Sequence, residues 1–505
     1  MKIKALFTTL CFALGCLAAY GQIHYAPPRK EIRHKIKHLP QENYFQQATT
    51  RASGDYIMQE FPTEGEVKGI VILTEFKDVR FSIDNIKALL NERYNANNYT
   101  ENVEHTEYSN VDKGTIALRA TIPGSVRDYF REMSMDEFTP TFDVVGPITL
   151  DKERSYYGQN SDKSYNAHAI EMVTEACKKV HQGRLADFSQ YGNGDNIVDF
   201  VYVVFAGSDE AQTGIEDCVW AHANNISSPL TLDGMTINRY ACSGELFVDL
   251  NLTAGIGTFV HEFSHILGLP DFYNTEDGDN TKLSMDVWSV MDYGMYNRGG
   301  FVPCAYTAFE RYSLGWLPMT TLNEPATLSI GTTEEEKTGY RIFVSEDTDT
   351  TAFYMVETIR KEGWNKYAYA EGLLISMVDY KASAWKDNKV NVGNNYRHYV
   401  VPANNHWSIV EDYNPTLHLF GNSVNKFTNE KGAKPTSKMN KPLTNIIFND
   451  SIATFDFCGG SSTNKVEETR NQASEIGNIY DLQGRTVEKP LRGIYIQNGK
   501  KYLAF

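Results

Sequence analysis

The apolar residues of this chain change rhythm three times. Gly69-Ile-Val-Ile-Leu-Thr-Glu-Phe is a near-continuous apolar run and predicts a strand buried on both faces. Ile197-Val-Asp-Phe-Val-Tyr-Val-Val-Phe-Ala predicts a second strong strand. Around and between them, residues 82–93, 125–133 and 168–181 carry apolar side chains at helical spacing. Ser82 is the expected cap of the first helix, since a Ser oxygen can accept from an orphan N–H of the opening turn. After Trp316 the pattern shortens to β runs: Thr327-Leu-Ser-Ile, Tyr340-Arg-Ile-Phe-Val, Ala352-Phe-Tyr-Met-Val-Glu and Leu373-Leu-Ile-Ser-Met-Val, with turn residues between. The expected fold class is α+β. A mixed helix–strand domain spans 63–320 and a β-rich, sandwich-like domain spans 321–460. A linker over 461–476 then leads to a small β tail over 477–505, where Asn498-Gly499 between two β runs marks a hairpin.

The most informative stretch is His261-Glu-Phe-Ser-His-Ile-Leu-Gly-Leu-Pro-Asp271. On a helix, His261 and His265 stand one turn apart on the same face, where two imidazoles can grip one zinc ion. Glu262 sits beside the first His, placed to take a proton from a metal-bound water. Gly268 lets the chain leave the helix sharply, and Pro270 forbids its continuation. Asp271 is thereby delivered as a third ligand, leaving a fourth position open for water, as catalytic zinc requires. The bland alternative is a core helix with two satisfied His residues. The length of the motif weighs against it.

A second element follows at Trp288-Ser-Val-Met-Asp-Tyr-Gly294. Its Met291 fits the Met-containing turn that underlies the zinc site of metzincin peptidases. Tyr293 stands where astacin-like and serralysin-like enzymes carry a tyrosine near the metal, and its hydroxyl is a candidate donor to a developing oxyanion. The chain resembles the immune inhibitor A family of secreted bacterial metallopeptidases. The resemblance rests on residues 261–271 and 288–291, with support from Gly124-Ser-Val-Arg-Asp-Tyr-Phe, Tyr312-Ser-Leu-Gly-Trp-Leu and Gly372-Leu-Leu-Ile-Ser-Met-Val-Asp. It implies a zinc endopeptidase acting on proteins or peptides, often stabilised by calcium, with His261, His265 and Asp271 as zinc ligands and Glu262 as general base. The rival reading is a catalytically silent, adhesin-like binding protein on a protease scaffold. The intact Glu262 speaks against it. Trp364, Trp385 and Trp407 raise a third reading, a glycan-binding module within 320–460, although scattered aromatics usually belong to a core.

Charge and termini sharpen the picture. A formal net charge of −16 argues against nucleic acid and anionic membrane surfaces as partners. Lys2 and Lys4, the apolar run from Ala5 and the Ala19-Tyr-Gly21 site read as a signal peptide over 1–21, so the expected location is secreted or cell-surface. A lipoprotein signal ending at Cys16 is the competing reading. No other apolar stretch is long enough to span a membrane. Residues 22–62 carry Arg29, Lys30, Arg33, Lys35 and Lys37 ahead of an acidic chain, and read as a pro-segment or a linker. Asp55 is a candidate to cover the metal. Residues 477–505 resemble the C-terminal sorting tails of bacterial type IX secretion cargo.

Five cysteines remain beyond residue 21, with no Cys-x-x-Cys, and Cys218 with Cys242 is the first-choice disulfide. Two acidic loops are candidates for calcium, 187–199 and 276–280; a solvated turn is the favoured reading of the first. His222 reads as a structural histidine.

Overall fold

The computed structural model describes residues 24–25, 62–110, 114–161, 166–248, 252–275, 281–344, 352–393, 395–410, 412–428, 441–460, 493–497 and 500–504. The fold is mixed α/β with several sheets. The expectations for 1–21, for the linker 461–476, for Asp55 and for the acidic loop 276–280 fall outside the described residues. Among those described, no helix is long and apolar enough to cross a membrane.

The N-terminal half is built on a six-stranded sheet. In chain order its strands are β1 (His24–Tyr25), β2 (Gly65–Glu75), β5 (Phe138–Thr149), β6 (Val201–Ser208), β7 (His222–Leu232) and β8 (Met235–Leu246); β3 (Glu101–Asn110) and β4 (Gly114–Ile122) form a separate hairpin. The spatial order is β1-β7-β8-β6-β2-β5. β2 runs parallel to β5 and β6, and β6 parallel to β8, whereas β7 is antiparallel to β8 and β1 antiparallel to β7. The expected strands at 69–76 and 197–206 thus appear as β2 and β6, adjacent interior strands of this sheet, and every residue of β6 is buried, as a strand covered on both faces requires.

Among the described residues, seven helices accompany this half, and they pack on both faces of its sheet and against the neighbouring one. They are α1 (Ile86–Asn95), α2 (Val126–Met133), α3 (Arg154–Gly158), α4 (Ala169–Gln182), α5 (Glu210–Thr213), α6 (Gly257–Ile266) and α7 (Ala308–Ser313). Met172, Val173, Ala176 and Val180 of α4 share one core with Ile70, Ile72, Val201 and Val203; Phe259 and Phe263 of α6 share the other with Val71, Tyr202 and Val204. α2 begins at the expected point, with Ser125 accepting from Asp128 N and the Asp128 carboxylate reaching back. Ser82 does not cap α1. That helix starts at Ile86, and both the backbone N–H and the hydroxyl of Ser82 are taken by the Glu245 carboxylate, at 2.8 and 2.6 Å.

The C-terminal half is β-rich. β9 (Met319–Thr321), β11 (Gly339–Phe343), β12 (Ala352–Ile359), β13 (Gly372–Asp379) and β16 (His398–Val400) form a five-stranded sheet. β10 (Ala326–Ile330), β17 (Leu443–Asn449) and β18 (Ile452–Phe457) form a three-stranded one, and side chains of both sheets share a core that includes Ile330, Tyr354, Ile375 and Phe455. Short elements complete it: α8 (Thr333–Glu336), α9 (Ala382–Lys386), β14 (Asn391–Val392) and β15 (Asn395–Tyr396). The other face of the five-stranded sheet does not end at residue 320. Phe353, Met355, Leu374, Val378 and Trp385 join the core that also holds α6 and the segment around Met291. At the tail, β19 (Gly493–Gln497) and β20 (Lys500–Ala504) pair antiparallel on either side of Asn498-Gly499.

The cysteine expectation is overturned. Cys177, Cys218, Cys242, Cys304 and Cys458 are all free thiols. Cys218 and Cys242 flank one excursion in sequence but face different surroundings. The Cys242 sulfur lies 3.4 Å from His222 Nδ1, while Cys218 packs beside Thr213 and Arg154.

Candidate metal centre

α6 carries two side-chain stripes. Phe259 and Phe263 anchor one against the sheet, with Phe259 stacked on Tyr202 at 4.1 Å and Phe263 at 4.5 Å from Phe200. His261 and His265 are each two residues further along, about 200° around the helix axis from those anchors, and so point the opposite way. The helix ends as the sequence predicts. Gly268 adopts φ +106°, a conformation that favours glycine. Its N–H and that of Leu269 bond back to the carbonyls of His265 and Ser264.

That turn brings Asp271 back to the histidines. His261 Nε2 and His265 Nε2 are 3.2 Å apart, and Asp271 Oδ1 lies 3.3 and 3.2 Å from them. Two donor atoms sharing a tetrahedral zinc at its usual bond lengths are separated by about 3.3 Å, so this near-equilateral triangle has the dimensions of one face of such a site. Among the described residues, these three are the only group of His, Cys, Asp or Glu side chains whose ligand atoms converge in this way. At the candidate loop 187–199, Asp187 and Asp195 instead accept from the N–H groups of Ser189 and Ile197, as ordinary turn residues do.

Each candidate ligand is oriented from behind. His261 Nδ1 faces the Val290 carbonyl at 2.8 Å and His265 Nδ1 the Leu269 carbonyl at 2.7 Å. A carbonyl only accepts, so each Nδ1 carries the proton and each Nε2 presents its lone pair to the centre. The Asp271 carboxylate is gripped by Asn388, whose Nδ2 donates to Oδ2 at 2.6 Å while its Oδ1 accepts from Asp271 N at 2.7 Å. Asn388 lies 117 residues away in the chain, and no spacing in the sequence signals it. Phe272 N donates to the Met291 carbonyl at 2.8 Å and ties the ligand loop to the Met turn. Met291 itself is fully buried. Its N–H is held by Ser289 Oγ, which in turn donates to Glu310 of α7.

Glu262 is also fully buried, and neither of its oxygens has a hydrogen-bond partner among the described residues. Burial, then the nearby Asp271 and Asp209 carboxylates, push its carboxyl well above the usual range. Tyr293 is buried just beyond the Met turn and is not one of the three converging groups. It belongs to a neighbourhood that sequence reasoning missed in part. Tyr273, two residues after Asp271, feels Asp271, Glu262, Tyr293 and Tyr296 together. His222 is structural, as read. It is bonded to the Trp220 carbonyl and the Tyr240 hydroxyl, and its pKa is lowered to about 4 by burial.

Comparison with known proteins gives this geometry a context. Residues 58–317 match the description "Immune inhibitor A peptidase M6, catalytic domain". The chain is 26% identical over 276 residues to the pre-pro-metalloprotease PrtV of Vibrio cholerae serotype O1, covering 49% of this chain and 29% of that protein. It is 23% identical over 258 residues to immune inhibitor A of Bacillus thuringiensis subsp. alesti, covering 45% of this chain and 36% of that one. The chain therefore spans only about a third of the length of these relatives. The family match takes in more than half of its own residues, includes all of α6 and the Met turn, and establishes that the chain belongs to the immune inhibitor A, peptidase M6, family.

Proposed function

We propose that the chain is a secreted zinc-dependent endopeptidase that hydrolyses peptide bonds in proteins. The observation that carries this is the buried triangle of His261 Nε2, His265 Nε2 and Asp271 Oδ1, with edges of 3.2–3.3 Å, beside a buried Glu262. Two nitrogens and one carboxylate oxygen, with a fourth position left to solvent or substrate, are the donor set of a catalytic rather than a structural zinc. Zinc bound there supplies Lewis acidity and acidifies its water. Glu262 takes the proton of the attacking water on a carboxylate oxygen and passes it to the leaving amide nitrogen. Its burial, which favours the protonated form, suits the second half of that task. Tyr293 is proposed to donate its phenol proton in a hydrogen bond to the oxyanion. A sheet of four parallel strands with an antiparallel strand beside them, crossed by this helix and followed by a Met turn, supports a metzincin-like reading of the catalytic domain.

Residues 22–62 are proposed to be a pro-segment. Strand β1, His24–Tyr25, lies within them and adds to β7, an added-strand contact of the kind extended peptides make with sheet edges. The hairpin β19–β20 is proposed as the sorting tail. Its deletion should leave folded protein inside the cell.

The test is cleavage of casein or gelatin by the chain without its first 62 residues, alongside Glu262→Gln, with zinc counted in both. Turnover by the unsubstituted protein alone, with about one zinc in each, is the expected result. Zinc in both and cleavage by neither would favour the binding-protein alternative.

A further inference from the structure

We propose that Asn388, a residue of the β-rich half, is the positioning residue that makes Asp271 a single-oxygen metal ligand. The inference rests on the zinc-site reading above and deepens it. The family match ends at residue 317, so the residue lies outside the segment that identifies the chain.

The argument is one of geometry. A carboxylate offers two equivalent oxygens, and rotation about its last bond would let either face the histidines. Asn388 removes that freedom. Its Oδ1 accepts from the Asp271 backbone N–H, which can only donate, so the amide orientation is fixed by the network. Nδ2 is then forced onto Oδ2, at 2.6 Å. Oδ1 alone is left facing the two Nε2 atoms, at 3.3 and 3.2 Å.

Asn388 is itself held tightly. It is completely buried. Its backbone sits at φ +51°, a left-handed conformation that Asn tolerates better than most residues. Its carbonyl accepts from Thr275 Oγ1 at 2.8 Å, four residues beyond the ligand. Nearby, Asn391 Nδ2 donates to the Phe272 carbonyl at 2.6 Å. Asn388 and Asn391 therefore grip residues 271–275 through four hydrogen bonds, and one of them holds the side chain of Asp271.

Asn388→Gly tests this most cleanly, because glycine accepts the left-handed backbone and only the amide is lost. Asn388→Ser is the second variant; it keeps a polar group in the pocket but cannot reach Asp271 with both a donor and an acceptor. In the full chain, zinc affinity is measured by competition with a chromophoric chelator, and thermal unfolding is measured in the metal-free form. Loss of a hydrogen bond behind a ligand is expected to weaken zinc binding about 10–100-fold, with the metal-free variants still unfolding cooperatively. A purely structural role would lower the unfolding temperature and leave zinc affinity within threefold of the unsubstituted chain. That result in either folded variant overturns the assignment. Failure of the unsubstituted chain to bind zinc overturns the zinc-site reading and this inference with it.

Discussion

The imidazoles of His261 and His265 meet Nε2 to Nε2 at 3.2 Å, with each Nδ1 proton already given to a carbonyl. Two lone pairs and a carboxylate oxygen pointed at one another inside the protein repel unless a cation lies between them. Removing metal should therefore cost stability as well as activity. A chelator is expected to lower the melting temperature, and zinc at 100 times its Kd should restore about 2.7 kcal/mol. An unchanged melting temperature after verified metal removal would show that the triangle is not a binding site.

The three proposed ligands should fail together. His265→Ala and Asp271→Ala are each expected to lose stoichiometric zinc, whereas Glu262→Gln keeps it and loses about 10²–10⁴-fold in turnover. The contrast between metal content and rate separates ligand from base. Retained zinc in His265→Ala would remove that residue from the ligand set.

How much of this was legible in the sequence depends on the distance over which each contact acts. The two histidines were legible because i and i+4 share a helix face, and Asp271 because Gly268 and Pro270 announce a turn. The helix beginning at Ser125 was legible from its apolar spacing, and the capping box that starts it is equally local, joining Ser125 to Asp128 three residues on. Ser82 looked like a cap, yet a carboxylate 163 residues distant holds both its N–H and its hydroxyl. Asn388 had no local signal at all, since its role comes from contacts across the fold. The Cys218–Cys242 pairing failed for a related reason. Flanking one loop brings two residues near in sequence without aligning their Cβ atoms as a disulfide requires.

Gly257, the first residue of α6, is a steric gauge of how the metal helix is seated. A methyl group there would lie 2.1 Å from the Met295 carbonyl oxygen and 2.9 Å from that of Gly300. Both are backbone atoms just beyond the Met turn and cannot swing aside. Gly257→Ala should cost about 1–3 kcal/mol and weaken zinc binding through displacement of His261. Wild-type stability in this variant would mean that the helix and the segment after the Met turn are not in this contact.

Glu357 offers a pH-dependent test at a residue outside the candidate metal centre. It is buried, accepts from Ala308 N at the start of α7 at 3.0 Å, and has its pKa pushed up to about 8 by burial. The folded state therefore holds this proton more tightly than the unfolded chain does. The resulting stabilisation is fully present below the ordinary value of 4.5 and is lost as pH rises through 8. Glu357→Gln keeps the acceptor to Ala308 and removes the titration. The unfolding free energy of the variant relative to the unsubstituted protein should climb from about pH 5 and level off above about pH 8, with a slope of at most about 1.4 kcal/mol per pH unit. A flat difference would show that Glu357 ionises normally and is hydrated in the folded protein.

The last prediction concerns where the catalytic unit ends. Phe353, Leu374, Val378 and Trp385 share a core with Phe263, Met291 and Phe309, and Asn388 and Asn391 bond to the segment that carries Asp271, the proposed third ligand. A fragment stopping at residue 320 would expose that apolar surface and release Asp271. It is expected to be insoluble, or to bind 8-anilinonaphthalene-1-sulfonate as loosely packed states do, and to lack zinc. A fragment through residue 460 keeps both halves of the core and should unfold in one cooperative transition and retain the metal. Soluble, zinc-loaded and active protein ending at 320 would show instead that the β-rich half is an appendage, and that the grip on Asp271 is dispensable.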